Sequence, residues 1–107
     1  MVGVPDTDVF AALANPVRRQ LLDALRDGPQ PAGELAGRFA LSRPAVSEHL
    51  AVLRHAGLVR EEPRGRHRYY HLAAEPLADV SDWLHPFERY WRGRLAALRD
   101  VVEEENP

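Results

Sequence analysis

The chain has 107 residues, 45% of them hydrophobic, which places it among globular proteins rather than disordered ones and predicts one small domain. It holds no cysteine, so disulfides and thiolate metal sites are excluded, and no apolar run approaches the length of a membrane span. The net charge of −2 argues against indiscriminate attraction to nucleic acid, but the signs are separated: six arginines stand against three glutamates from Ser42 to Leu72, whereas Asp100 and three glutamates stand against Arg99 at the end.

No N-terminal signal peptide is recognisable, so the expected compartment is the cytoplasm. Met1 to Pro5 reads as a loose lead-in, after which Asp6 or Thr7 is expected to cap a short first helix with Val9, Phe10 and Leu13 as its apolar residues. Asn15 and Pro16 close that helix and open the next, Asn15 as N-cap and Pro16 at the first helical position, where its missing N–H is not needed. Val17, Leu21, Leu22 and Leu25 recur at helical spacing until the helix stops at Gly28. Pro29-Gln30-Pro31 is extended, because proline restricts both itself and its predecessor. A third short helix, about Gly33 to Phe39, buries Leu35, Ala36 and Phe39, and only Ala40-Leu41 separates it from the helix that begins after Ser42. Two short helices joined by so tight a turn form a helix-turn-helix.

The stretch from Leu41 to Val59 reads as one helix with two faces: Ser42 is a good N-cap, Pro44 fits the first turn, and Gly57 stands where a left-handed residue ends a helix. Val46, Leu50 and Leu53 make a narrow apolar stripe, while Arg43, Pro44, Ser47, Glu48, Ala51, Arg54 and His55 fall on the other side. That outer face combines small residues, which let the helix backbone come close to another surface, with guanidiniums suited to phosphate. Both properties suit a helix that enters the major groove of DNA, with Ser47 and Ala51 letting its backbone approach the bases and Arg54 suited to the phosphate backbone.

After Gly57 the periodicity changes. Leu58 to Glu62 and His67 to Leu72 are extended runs, and Pro63-Arg64-Gly65-Arg66 supplies the turn between them, giving a β-hairpin with arginines at its tip. Arg64 and Arg66 there, with Arg68 just beyond, are placed to reach phosphates or a narrow minor groove. His49 lies at the edge of the apolar stripe and suits a half-buried structural role; His55 and His67 face the expected DNA side, and His71 and His85 read as surface or interface residues. From Pro76 the chain returns to helix, kinked or divided at Pro86, which cannot donate to the carbonyl of Asp82. Leu77, Val80, Leu84, Trp91, Leu95, Leu98 and Val102 lie on or near one side, widened by Trp83, Phe87 and Tyr90. So much apolar surface on a terminal helix implies a partner helix, most simply that of a second copy. The expected interface uses Val9, Phe10, Leu13, Leu84, Phe87, Trp91, Leu95 and Leu98, with residues 6–14 and 76–104 as the dimerisation helices of one domain spanning 1–107.

The segments ALANPVRRQLLDAL, ELAGRF-ALSRPAVSEHLAVLRHAGLV and RGRHRYYHL together resemble the ArsR/SmtB family of bacterial winged helix-turn-helix transcription regulators, from about Phe10 to Leu72. The ending WLHPFERYW is similar to a metal-independent branch of that family. The resemblance implies a mainly α fold with a small β-hairpin wing, a homodimer formed by the first and last helices, and repression through an inverted repeat near a promoter. It also implies groove-reading roles for Arg43, Pro44, Ser47 and Glu48 and wing contacts from Arg64, Arg66 and Arg68.

Two departures bear on sensing. The cysteine pair of metal-sensing members is replaced by Gly33-Glu34-Leu35-Ala36-Gly37. Asp79, Asp82, His85 and Glu88 could imitate half of a zinc site between the last helices, but Arg92, Leu95 and Arg99 supply no ligands for the other half, so neither metal nor cofactor is expected. Glu48 stands where glutamine is common, and a carboxylate there favours a cytosine N4 donor. Release from DNA would need a signal, either a small-molecule effector at the aromatic interface or control by protein level alone. The competing reading is a winged helix used as a protein-interaction module, which the acidic net charge favours mildly and the arginine wing opposes. An enzyme is disfavoured: Ser47 and His49 lie two apart on one helix and face different ways, and no glycine-rich phosphate loop follows a strand.

Overall fold

The computed structural model describes residues 8–105. The fold is mainly helical with a small sheet, the winged helix-turn-helix expected. Helix α1 (Val9–Leu13) is capped by Asp8, whose Oδ1 accepts the Ala11 amide at 2.7 Å. Asp6 and Thr7, the expected caps, and the lead-in Met1 to Pro5 lie outside the described residues. Helix α2 (Pro16–Leu25) opens as expected, with Asn15 Oδ1 accepting the amides of Val17 and Arg18 at 2.8 and 3.3 Å. It ends three residues short of Gly28, which instead takes a positive φ of 134° in the loop beyond.

Helices α3 (Ala32–Arg38) and α4 (Arg43–His55) end in the same way. After α3 the Leu41 and Ala40 amides return to the carbonyls of Ala36 and Gly37; after α4 the Leu58 and Gly57 amides return to those of Leu53 and Arg54. This paired closure satisfies the last free carbonyls of each helix and turns the chain sharply through one left-handed residue. At α4 that residue is Gly57 (φ 79°), as expected; at α3 it is Ala40 (φ 54°).

Three strands, not two, make the sheet. Strand β1 (Gln30–Pro31), the extended Pro-Gln-Pro stretch, pairs with β3 (His67–Leu72), which also pairs with β2 (Val59–Arg64), in the order β1-β3-β2 with every pairing antiparallel. Pro31 is tolerated because β1 is an edge strand, where a missing donor costs no ladder bond. The turn is tighter than the four residues expected. Pro63 and Arg64 remain in β2 opposite Arg68 and His67, leaving Gly65-Arg66 as a two-residue loop. Gly65 has φ 61° and Arg66 does not share its sign, the pattern of a type II′ turn whose twist matches the flanking strands.

The core is built from the predicted stripes. Leu21, Leu35, Val46, Leu50, Leu53 and Leu58 are fully buried, so α2, α3, α4 and the start of the wing share one apolar interior, and α1 adds Val9 and Ala12. Phe39 packs on its edge and is only half-buried. The last helical segment divides at Pro86, as the missing N–H requires, into α5 (Leu77–Leu84), a 3-10 turn (His85–Phe87) and α6 (Glu88–Glu105).

Candidate nucleic-acid interface

Helix α4 owes its position to its two faces. Ser42 Oγ accepts the Ala45 amide at 3.2 Å and fixes the start, while Val46, Leu50 and Leu53, each at most 1% exposed, fix the roll of the helix on the core. The opposite face is thereby turned outward: Arg43, Pro44, Ser47, Glu48, Arg54 and His55 are exposed, and Ala51 is half-buried. Between this face and the wing runs a groove of about 760 Å³. Ser47 and Ala51 lie along its α4 wall, with Arg43, Arg54, Arg66 and Arg68 among the cationic side chains lining it. The Arg43 guanidinium lies over the start of α3, where a β-carbon on Gly33 would sit 3.4 Å from its Nη1.

The wing arginines are not equivalent. Arg68 Nη1 donates to Glu61 Oε1 at 2.9 Å, and Arg54 Nη1 approaches Glu61 Oε2 at 3.7 Å. Arg64 Nε donates to Glu62 Oε1 at 2.7 Å, and its guanidinium stacks 4.6 Å from the Tyr69 ring centre, outside the groove lining. Arg66, at the tip, has no ion-pair partner among the described residues. Below the arginines, buried Tyr70 donates its hydroxyl to Glu61 Oε2 at 3.1 Å; burial first, and the neighbouring carboxylate second, push its phenol above the ordinary range.

The histidines sort by burial. His49 is half-buried, with Nδ1 3.5 Å from Arg18 Nη1; Arg18 also donates to the carbonyls of Ala12 and Ala11, tying the end of α1 to α4. His55 and His67 are exposed. His71, expected at the surface or an interface, is half-buried, with Nε2 3.0 Å from Glu62 Oε1. The hydrogen bond with His71, and after it that from Arg64, holds the Glu62 carboxyl below the usual carboxylate range. Glu61 and Glu62 fall at the end of the predicted extended run Leu58 to Glu62, which gives neither of them a role. Strand alternation is the signal that separates them, since it puts Glu61 on the face of buried Val59, directly opposite Tyr70.

The expected interface residues divide as well. Val9, expected at the interface, is 6% exposed and packs into the chain's own core, because α1 docks with that side inward; Leu13 and Leu84 are half-buried. Phe10, Phe87, Trp91, Leu95 and Leu98 are exposed. Phe10 meets Trp83 edge-on at 5.9 Å between ring centres, Trp83 meets Phe87 at 5.0 Å, and Phe87 meets Tyr90 at 6.4 Å, so α1 and the last helices form one aromatic surface. Among the described residues no three His, Asp or Glu side chains gather in a metal-binding group. Glu88, one of the four residues that could imitate half a zinc site, is 3.1 Å from Arg92 and 3.9 Å from His85. Among the described residues, none of the helices is long and apolar enough to cross a membrane.

Residues 13–62 match the family described as a helix-turn-helix domain. The chain is 36% identical over 77 residues to the transcriptional repressor SdpR of Bacillus subtilis, covering 72% of this chain and 86% of that one. It is 39% identical over 96 residues to the HTH-type transcriptional regulator Rv2034 of Mycobacterium tuberculosis, covering 90% and 87%. Among solved structures, an ArsR-like transcriptional regulator from Rhodococcus sp. RHA1 superposes with a TM-score of 0.65 at 34% identity, covering 87% of this chain and 88% of that one. These relatives are transcriptional regulators, a non-enzymatic class, and the chain belongs to the ArsR family of winged helix-turn-helix transcriptional regulators.

Proposed function

We propose that this regulator is a homodimeric repressor that binds an inverted-repeat DNA site through α4 and the wing. One observation carries the reading: the outward face of α4 offers small residues, Ser47 and Ala51, in a groove bordered by Arg43, Arg54, Arg66 and Arg68. The major groove of DNA admits an α-helix, and small side chains let the helix backbone approach while the guanidiniums reach phosphates on either side. In this reading Arg43, Pro44, Ser47, Glu48 and Ala51 face bases, with Glu48 accepting from a cytosine amine. Arg54, Arg64, Arg66 and Arg68 serve the backbone, and a small-molecule effector at the aromatic surface would act by favouring the unbound state. The name of SdpR as a repressor supports repression as the outcome.

The second copy is supported by α6. Every described side chain from Arg89 to Glu103 is exposed, yet Trp91, Leu95, Leu98 and Val102 recur at alternating spacings of four and three, the seam of a helix that packs on another helix. Arg89, Arg92, Arg94 and Arg99 make the first part of α6 basic, and the part from Asp100 is acidic. Antiparallel pairing of two α6 helices sets basic on acidic, whereas parallel pairing sets like on like.

Selection of bound fragments from a random duplex pool at moderate salt tests the reading. Enrichment of an inverted repeat with half-site centres about one helical turn apart is expected. Against the selected site, Arg43→Ala or Ser47→Ala should weaken binding by about 1–3 kcal/mol, whereas Arg66→Ala should weaken specific and nonspecific binding alike and flatten the salt dependence. Absence of enrichment, with binding that vanishes as salt rises, would overturn it in favour of a protein-interaction module.

A further inference from the structure

Two carboxylates, Glu34 and Glu61, line the groove between α4 and the wing. Glu34 is exposed in the first turn of α3; Glu61 is different, with its side chain 21% exposed and both oxygens engaged. Oε1 accepts from Arg68 of β3 at 2.9 Å, while Oε2 accepts from buried Tyr70 at 3.1 Å and faces Arg54 of α4 at 3.7 Å. One acidic group, anchored from the core, therefore joins the helix to the wing through the two guanidiniums proposed to meet phosphate.

Free arginine side chains carry many rotamers and attract any phosphate within reach. Held by a shared carboxylate, the same side chains lose part of that freedom before DNA arrives, and part of their charge is cancelled at the groove floor. The cancellation weakens attraction to every duplex, because phosphates are present in all of them, and leaves the groove-facing end of α4 at Arg43 and Ser47 untouched. Building on the DNA-binding reading above, we propose that Glu61 is a specificity-determining positioning residue: it holds Arg54 and Arg68 in a fixed frame and suppresses binding to arbitrary DNA relative to the read site.

The test compares the full-length parent with Glu61→Gln, which keeps size and an acceptor oxygen but removes the charge. Affinities are measured for the selected repeat and for a scrambled duplex over a salt series, with thermal unfolding as the check on folding. Glu61→Gln should bind the scrambled duplex about threefold more tightly or better, steepen the log–log salt slope by about 0.9, as for one more neutralised phosphate, and lower the specific-to-nonspecific ratio. In a background of Arg54→Gln with Arg68→Gln the same change should no longer move the slope, because Glu61 acts through those arginines. An unchanged slope and ratio in Glu61→Gln, with the parent still selecting its repeat, would overturn this inference alone. So would a slope change that persists without the two arginines, since Glu61 would then act on DNA directly. A parent that selects no repeat would overturn the DNA-binding reading and this inference together.

Discussion

Ala40 holds a backbone conformation that an L-residue adopts at a cost. Its φ of 54° lets the Leu41 amide reach the Ala36 carbonyl and closes α3 in front of α4, but a β-carbon in the left-handed region meets the following carbonyl. Ala40→Gly should therefore raise stability by up to about 1 kcal/mol, the relief of strain exceeding the added freedom of the unfolded chain, as read from a shifted urea midpoint at constant slope. Gly57 is the opposite case. It occupies the equivalent position after α4 at φ 79°, and a β-carbon would also lie 3.3 Å from Pro76 Cγ, so Gly57→Ala should cost about 1–2 kcal/mol in the same titration. The sequence reveals one of these positions and hides the other for a plain reason: glycine after a periodic run announces a left-handed residue, whereas alanine announces helix. Glu61 was hidden similarly, because its role depends on Arg54, seven positions away on another element, and on Tyr70 across the sheet.

At the scale of elements, helices were more legible than the sheet. Asn15-Pro16, Ser42 and Gly57 mark helix ends through side-chain or backbone chemistry that acts within a few residues, and the boundaries near them agree with the structure. The hairpin loop is set by pairing across strands: Pro63 and Arg64 look like turn residues locally but continue β2 once Arg68 and His67 stand opposite them. The third strand is likewise a consequence of where α3 places Gln30-Pro31, beside Tyr70 and Tyr69. The outer side of the wing carries a pH dependence. Glu62 is held below the usual carboxylate range by His71 and Arg64, so its contribution is present above the unfolded carboxyl's pKa and is lost as pH falls through the lower folded value. Compared with Glu62→Gln, the parent should show slower amide exchange in β2 and β3 near neutral pH, and the difference should disappear as pH falls through about 4 and below.

The whole molecule is longer than one core explains. Its radius of gyration is 18.1 Å, against about 13 Å for a compact chain of this length, because α6 projects with its described side chains from Arg89 to Glu103 all exposed. Leu77 and Val80 of α5 pack on the protomer's own interior, so a truncation there would disturb folding as well as association. Leu95→Asp combined with Leu98→Asp removes only apolar surface of α6; if the proposed homodimer forms through that surface, the parent should sediment as a dimer and the double variant as a monomer at the same concentration, with the variant's unfolding midpoint set by its own core alone. By itself the sequence determined the helix order, the apolar stripes, the helix-turn-helix, the break at Pro86 and the arginine-bearing face of α4. Each of these depends on periodicity, capping or proline chemistry acting within a turn or two of the chain. Only the tertiary structure decided that Val9 faces inward, that the sheet has three strands, and that Glu61 joins α4 to the wing, because those outcomes depend on which distant segments meet when the core closes.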